Sequence, residues 1–387
     1  MKENDVSLVF TGDIGFDRYM ADRWQDDDLL SSEITKFLHS GDHVIANVEG
    51  ALMNADRKGG RSDGFFHAMD PKVAVFLDRI HADIWNIGNN HIFDAGPEGL
   101  ENTLRIASGM GCRTVGAGRN MREASEPIFL QEAGGIGILA VSYLPECLPA
   151  GENTPGNLSW NEYELIEKTI TRIRKTCRWC VVISHGGEEF AGLPTPLIRE
   201  RYLRFLDMGA DLVVAHHPHV PQNYEFPENN KGIFYSLGNF IFDTDYQRAQ
   251  YHTDEGVLLK LCFGRDKWSF EALGMRLDRK TECVFAADLP EIFTEVPEKD
   301  YLLLSSLSAR ALVAAEKRKM IYLNRKKYEN ASEETWNAHF DGQAQDIDDY
   351  IKGEYMDFLQ IRGMIRKDCP ENQSGLTRVK NYLEGLL

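Results

Sequence analysis

Several β-rich runs in this 387-residue chain stop at polar residues, and this pattern limits the folds available to it. Segments with helical spacing of apolar residues lie between the runs. The residues that end the runs are Asp13, Glu49, Asn90 with His91, His185, the group from His216 to His219, and Asn239. Alternating strands and helices predict a layered α/β fold, in which ligands bind beyond the carboxyl ends of the strands. The sequence therefore predicts one shared site at these strand ends.

The strand-end residues carry the donor atoms of a metal site. The donors are carboxylates, an amide oxygen and imidazoles, from Asp13, Glu49, Asn90, His91, His185, His216, His217 and His219. This mixed set without thiolate suits Mn, Fe or Zn, and two metals about 3.5–4 Å apart would need roughly this many ligands. Each residue alone has an ordinary alternative, such as a helix N-cap for Asp13 or a core histidine for His185. Their shared position at strand ends favours the metal site.

Three histidines fall within the segment "AHHPHVPQ", which follows the predicted strand "DLVVA". Side chains at positions i and i+2 of an extended chain point to the same side. This rule predicts that His217 and His219 reach one site together, with Pro218 fixing the φ angle between them. It also predicts that His216 points the other way and packs beside the site or supports it.

Charge and hydropathy exclude some classes of protein. The chain has 43 Lys and Arg against 60 Asp and Glu, a net charge of −17, so it repels polyanions and we do not expect nucleic-acid binding. Its longest apolar runs, such as "WCVVIS", are far shorter than the ~20 residues of a membrane span. Its first residues lack the apolar stretch of an export signal. We therefore expect no membrane span and a cytoplasmic location.

The character of the sequence changes in its last third. The runs "EGVLLKLCF" and "KWSFEALGMRL" predict a pair of strands that closes the sheet or starts a second one. From Tyr301 on, charged segments with amphipathic spacing predict helices. We therefore predict one domain over residues 1–280 and a helical C-terminal extension over residues 281–387, which would act as a packing cap or a dimerisation surface.

Seven motifs in order along the chain resemble the capsule-synthesis (CapA-type, poly-γ-glutamate biosynthesis) family, a branch of the calcineurin-like metallophosphoesterase superfamily. The motifs are "TGDIGFDR", "NVEG", "NNHIFDAG", "VGAGRN", "SHGGEEF", "GADLVVAHHPHVPQ" and "YSLGNFIFD", which run from Thr11 to Asp243. The resemblance implies a four-layer α/β/β/α metallophosphoesterase-like sandwich with two divalent transition metals at the strand ends. It does not extend to the C-terminal region.

By motif position, the resemblance implies a set of metal ligands consisting of Asp13, Glu49, Asn90, His185, His217 and His219. Asp13 resembles the first carboxylate ligand, Glu49 stands at the position of the bridging carboxylate, and Asn90 resembles a ligand of the second metal. His91 resembles the histidine that acts on the leaving group without binding metal.

The residues and the resemblance together favour a metal-dependent hydrolase of phosphoesters, or of γ-glutamyl or other acyl bonds. His91 would protonate the leaving group, Asp94 would orient His91, and Arg18 would neutralise developing negative charge. Arg18 could instead be a structural ion-pair partner, and Asp94 a helix cap. The substrate would be a small molecule or a polymer, and an anionic substrate would have to overcome the protein's negative charge.

The chain departs from the wider superfamily at Gly15, where the D-x-H motif of other members has a histidine ligand. We therefore expect the first metal to be held weakly, or to recruit Glu189, Asp94 or water. This departure favours an alternative function, a non-catalytic metal-binding accessory component of a poly-γ-glutamate capsule synthesis and export system. The lack of a membrane anchor counts against that alternative.

Overall fold

The computed structural model describes residues 5–54, 66–144, 146–248, 250 and 252–296. Its α-helices are α1 (Ser32–Leu38), α2 (Val73–Arg79), α3 (Gly96–Gly109), α4 (Met121–Ala124), α5 (Tyr163–Arg174), α6 (Pro196–Asp207) and α7 (Asp245–Arg248), and its 3-10 turns are Arg18–Met20, Arg23–Gln25 and Glu132–Gly134. Its strands are β1 (Val6–Gly15), β2 (His43–Val48), β3 (Ala51–Leu52), β4 (Ala68–Met69), β5 (Ala82–Asn86), β6 (Arg113–Val115), β7 (Ala117–Gly118), β8 (Ile128–Leu130), β9 (Ile136–Ser142), β10 (Gly156–Asn157), β11 (Trp179–His185), β12 (Leu212–His216), β13 (Tyr224–Glu225), β14 (Gly232–Phe234), β15 (Asn239–Phe242), β16 (Glu255–Phe263), β17 (Trp268–Asp278) and β18 (Cys283–Ala287).

The first large sheet is mixed and has β1 at its centre. Its strand order is β18-β17-β16-β1-β2-β5-β6, and β15 also pairs with β1. β1 runs parallel to β2 and β15 but antiparallel to β16. All residues of β1 are buried, and its apolar side chains divide between two cores, as expected of a strand covered on both faces.

The second large sheet is also mixed, with the strand order β13-β14-β12-β11-β9-β8. Its four inner strands, β14, β12, β11 and β9, run parallel to one another. Parallel strands end at the same edge of a sheet, so the carboxyl ends of β11 and β12 lie side by side, with His185 paired opposite His216.

Alternation of side chains along the strands divides most of the described apolar residues among three large cores. Leu8 and Phe10 of the first sheet pack against Ile138 and Val181 of the second, which fills the space between the sheets. Val9 instead belongs to a core that includes residues of α1, α2 and α3. A third core joins the second sheet to α5 and α6. The predicted α/β class is therefore confirmed, with helices packed on two mixed sheets.

The first sheet continues beyond the predicted domain boundary at residue 280. Cys283–Ala287 forms β18, which pairs antiparallel with β17, and Glu295 bridges to Tyr224 of the second sheet. The remainder of the predicted helical extension, after residue 296, lies outside the described residues. In the part of the chain that the structure describes, no helix combines the length and the apolar character needed to cross a bilayer.

A close backbone approach at Gly12 shapes the end of β1. A Cβ at Gly12 would lie only 2.2 Å from the carbonyl oxygen of Gly238, and the Asp13 N–H donates to that same oxygen at 3.0 Å. The pairing of β1 with β15 shifts register between Asp13 and Ile14. Such irregularities redirect side chains near functional sites, and this one positions the Asp13 carboxylate.

Gly12→Ala should therefore lower the free energy of unfolding by about 1–3 kcal/mol, because the added methyl group forces packed backbones apart. Gly109→Ala is the matched control, since Gly109 is exposed in α3 and its added Cβ would meet nothing within 4 Å. That control should be neutral or stabilising, because alanine favours a helix over glycine by roughly 0.8–1 kcal/mol. Urea unfolding of the full chain measures both variants, and equal stability of the two would contradict the close approach.

Candidate metal centre

Asp13 is fully buried at the end of β1 and is surrounded by nitrogen donors. Asn47 Nδ2 donates to Asp13 Oδ1 at 2.6 Å, and the ring Nδ1 atoms of His216 and His219 each lie 3.4 Å from a carboxylate oxygen. Burial alone would raise the pKa of Asp13, but the hydrogen bonds and charges of these histidines outweigh burial and hold the pKa well below its usual value. Asp13 is thus an ionised carboxylate inside the protein, and the helix-cap alternative is not seen.

A chain of amides supports Asp13, and sequence reasoning missed it. Asn86 Nδ2 donates to Asn47 Oδ1 at 2.7 Å, while Asn47 Nδ2 donates to Asp13. Asn47 precedes Glu49 by two positions in the motif "NVEG", so its place at the end of β2 was a usable signal. These two hydrogen bonds link β5 to β2 and β2 to β1, and together they fix the orientation of the Asp13 carboxylate.

Glu49 is also fully buried, and neither of its carboxylate oxygens accepts a hydrogen bond from the described residues. Its Oε1 lies 3.6 Å from His185 Nε2 and 3.6 Å from His219 Nε2. Burial, followed by the negative charge of Asp13, raises the pKa of Glu49 well above its usual value. An unpaired buried carboxylate is costly, and a cation between these groups would satisfy it.

The His185 imidazole at the end of β11 is in the form that binds metals. Its Nε2 lies 2.9 Å from Asn90 Oδ1, and its side chain is almost fully buried. Burial, followed by the charge of His217, lowers the pKa of His185 well below its usual value. A neutral imidazole keeps a lone pair available for a metal ion.

The pKa of His219 is shifted in the opposite direction from that of His185. Burial opposes its charge, but the carboxylates of Glu49 and Asp13 outweigh burial and raise the pKa of His219 to about 10. Its Nδ1 also lies 2.9 Å from Asn239 Oδ1. Asn239 was predicted to follow a strand and was not assigned to the site, but it is the first residue of β15. A proton on His219 therefore supplies the positive charge that a cation would otherwise bring to these carboxylates.

The backbone of the histidine segment differs from the extended conformation used to predict it. β12 ends at His216, and His217 and His219 have φ angles of 99° and 57°, in the left-handed region. Both rings still lie with Glu49 in one group of ligand atoms, although the chain is not extended there. The expectation that His216 points away is wrong, because its Nδ1 faces Asp13. Such strained backbones cost about 1–3 kcal/mol each and concentrate at functional sites.

His91 and Asp94 form a hydrogen-bonded pair beside Glu49. The ring Nδ1 of His91 lies 2.8 Å from Asp94 Oδ2, and its Nε2 lies 4.0 Å from Glu49 Oε1. Burial, followed by the charge of His67, lowers the pKa of His91 well below its usual value. Ala95, and not Asp94, is the N-cap residue of α3, so Asp94 does not cap that helix.

His67 and Asp17 extend this pair, and neither was assigned to the site from the sequence. The backbone N–H of His67 donates to Asp94 Oδ2 at 2.9 Å. The His67 ring packs edge-on against the His91 ring, with ring centroids 4.3 Å apart. The His67 Nδ1 in turn pairs with Asp17 Oδ2. Asp17 belongs to the first motif, "TGDIGFDR", but its partner comes from a distant part of the chain, which only the fold reveals.

The ligand atoms collect into overlapping groups. Among the described residues, groups whose ligand atoms lie within 4.8 Å of one another are Asp13–Glu49–His185, Glu49–His217–His219 and Glu146–Glu189–His217. Glu49 belongs to the first two groups, as a bridging ligand would. The remaining sequence-predicted ligand, Asn90, joins through its contact with His185.

Arg18 stands apart from these groups. Its side chain is exposed, and it has a left-handed φ angle of 49° at the start of a 3-10 turn. Within the described part of the chain, no hydrogen bond or ion pair links Arg18 to the strand-end residues. Its structural ion-pair alternative also finds no partner there, so its role stays a prediction.

Phe242 fills the space in front of Gly15. A Cβ at Gly15 would lie 2.5 Å from atoms of the Phe242 ring. That ring packs against the His219 ring at 4.9 Å and the His67 ring at 5.0 Å. A histidine at position 15 could therefore not enter the site unless Phe242 moved, and the aromatic ring shapes this side of the centre in its place.

Comparison with known proteins identifies relatives of the chain. Residues 7–244 match a family model described as bacterial capsule synthesis protein PGA_cap. The PGA biosynthesis protein CapA of Bacillus subtilis (strain 168) is 30% identical over 259 residues, which cover 64% of this chain and 67% of that protein. The capsule biosynthesis protein CapA of Bacillus anthracis is 27% identical over 277 residues, 67% of each chain.

Among solved structures, the 5'-nucleotidase from Candida albicans SC5314 aligns at 11% identity with a TM-score of 0.43, over 84% of this chain and 57% of that chain. This likeness is too distant to bear on the site. The family match, in contrast, spans more than half of the chain and includes the strand-end residues from Asp13 to Asn239. This chain belongs to the PGA_cap family of bacterial capsule synthesis proteins.

Proposed function

We propose that the protein is a metal-dependent hydrolase that cleaves a phosphoester, or a γ-glutamyl or other acyl bond, in a metallophosphoesterase-like four-layer α/β/β/α fold. The observation that carries this proposal is Glu49, a buried carboxylate without hydrogen-bond donors that belongs to both inner groups of ligand atoms. The names of the relatives connect the family to capsule and poly-γ-glutamate biosynthesis, which makes an anionic small molecule or polymer the substrate to test first.

The residues present fit two divalent transition metals of the Mn, Fe or Zn type. Grouped by distance, Asp13, Glu49 and His185 with Asn90 would hold one ion, and Glu49 with His217 and His219 would hold the other. This division differs from the one that the resemblance implies, in which Asn90 binds the second metal and His217 and His219 bind one metal each. The orphaned oxygens of Glu49 and the unpartnered ring nitrogens of His217 support this assignment. When bound, such ions activate water as a nucleophile near neutral pH and polarise the bond under attack.

Residues of the chain itself would transfer a proton to the leaving group and contact the negative charge of the substrate. With Nδ1–H directed at Asp94, His91 presents an unprotonated Nε2 toward Glu49, where it would take up the proton released by the attacking water and then pass that proton to the leaving group. The His67 ring packs against the His91 ring, and the His67 backbone N–H donates to Asp94, so His67 holds both His91 and Asp94 in place. Arg18, exposed near the carboxyl end of β1, would contact a negatively charged substrate group.

A second candidate function is a non-catalytic metal-binding accessory component of a poly-γ-glutamate capsule system. Phe242 in front of Gly15 favours it, because the ring excludes a further histidine from the side of Asp13 and His219. Elemental analysis separates the two functions, followed by assays of phosphodiesters, phosphomonoesters and γ-glutamyl peptides with added Mn²⁺. Two tightly held ions with turnover support the hydrolase, whereas a single ion without turnover supports the accessory component.

Glu49→Gln should weaken metal binding by at least ~10–100-fold, since it removes the shared charge from both inner groups. The metal-free variant should remain folded, because burial already disfavours the charged form of Glu49 and glutamine is nearly isosteric. Elemental analysis after dialysis measures bound metal, and circular dichroism reports the fold. Glu167→Gln, on an exposed position of α5, is the matched control and should bind metal normally. Unchanged metal content in Glu49→Gln would exclude a bridging role.

His91→Gln should keep both metals but slow the cleavage of a phosphodiester with a poor alcohol leaving group by about 10²–10⁴-fold, because the proton donor is lost. Cleavage of bis(p-nitrophenyl) phosphate should slow much less, since nitrophenolate leaves without a proton. Steady-state rates on the two substrates, with metal content determined in parallel, test this assignment. An equal loss on both substrates, or a loss of metal, would assign His91 a different role.

A further inference from the structure

The third group of ligand atoms lies on the outer side of the two inner groups. It consists of Glu146, Glu189 and His217, whose ligand atoms lie within 4.8 Å of one another. The Glu146 side chain is 41% exposed, while His217 and Glu49 are fully buried. His217 belongs both to this group and to the inner group with Glu49 and His219. His217 therefore links the partly exposed Glu146 to the buried Glu49.

His217 shows that this group is more than a cluster of acidic side chains. It is fully buried, and neither of its ring nitrogens has a hydrogen-bond partner among the described residues. Its Nε2 lies 3.2 Å from Glu146 Oε2, close enough to share a cation but without the alignment of a hydrogen bond. A buried imidazole without a partner is costly, and a cation shared with the glutamates would satisfy it.

Two of the contacts of these glutamates come from neutral donors. Asn90 Nδ2 donates to Glu146 Oε2 at 3.4 Å, and the Tyr246 hydroxyl donates to Glu189 Oε2 at 3.2 Å. Carboxylates that line the mouth of a cleft concentrate cations there and raise their rate of association.

We infer that Glu146, Glu189 and His217 form an outer cation position, which captures a divalent ion from solvent and passes it to the inner groups. The exposed Glu146 makes the first contact, and His217 remains a ligand as the ion moves to Glu49. Two carboxylates and one imidazole suit Mn²⁺. This inference rests on the proposed di-metal function, because it describes how a fully buried pair of ions is loaded.

Stopped-flow measurement of Mn²⁺ uptake by the metal-free full chain tests the outer position. Glu146→Gln should slow uptake by at least about tenfold, which is the low end of the gain that focused negative charge gives to association. The final Mn²⁺ content should stay at the wild-type value, since the inner ligands are unchanged. Glutamine keeps an oxygen that can accept the hydrogen bond from Asn90, so the loop should stay in place.

Glu152→Gln is the matched control, because it removes one negative charge from an exposed position of the same connecting segment. This control should take up Mn²⁺ at the wild-type rate. Wild-type uptake in Glu146→Gln would overturn the outer position while leaving the di-metal function intact, and so would equal slowing in the two variants. Failure of the wild-type chain to bind Mn²⁺ at all would instead overturn the proposed function together with this inference.

Discussion

The Glu49 carboxylate lies between the His185 and His219 imidazoles, 3.6 Å from each, yet it accepts no hydrogen bond from the described residues. A second buried carboxylate, Asp13, adds to the negative charge, and the protein responds by raising the pKa of Glu49 and that of His219. Protonation is one way to balance such charges, and a divalent ion is the other. The two buried carboxylates therefore require positive charge nearby, and this requirement explains why imidazoles surround them.

The fold produces this concentration of charge by bringing the carboxyl ends of its central strands together. Asp13 lies near the end of β1, Glu49 follows β2, and His185 ends β11 of the other sheet. The two sheets pack face to face because this arrangement buries the apolar side chains between them. Face-to-face packing brings the strand ends of the two sheets close together. The contact of Gly12 with Gly238 then sets the position of Asp13, and Phe242 sets the shape of the side next to Gly15.

The sequence allowed the strand-end residues to be predicted because a polar residue after an apolar run marks the end of a buried strand, and parallel strands share that edge. Asp13, Glu49 and His185 are brought together in this way. The pair of His67 with Asp17 could not be predicted, because its members come from separate segments and lack a strand-end signal. The left-handed backbone of His217 and His219 was also missed, since i and i+2 spacing says nothing about φ where a strand has already ended.

The central claim is that Glu49 bridges two metal ions, and anomalous diffraction tests it most directly. Crystals of the full chain grown with Mn²⁺ would be measured on both sides of the manganese absorption edge. Two anomalous peaks about 3.5–4 Å apart, with the Glu49 carboxylate between them, are the predicted result. A single peak away from Glu49, or a Glu49 that hydrogen-bonds only to water in crystals containing Mn²⁺, would contradict the claim.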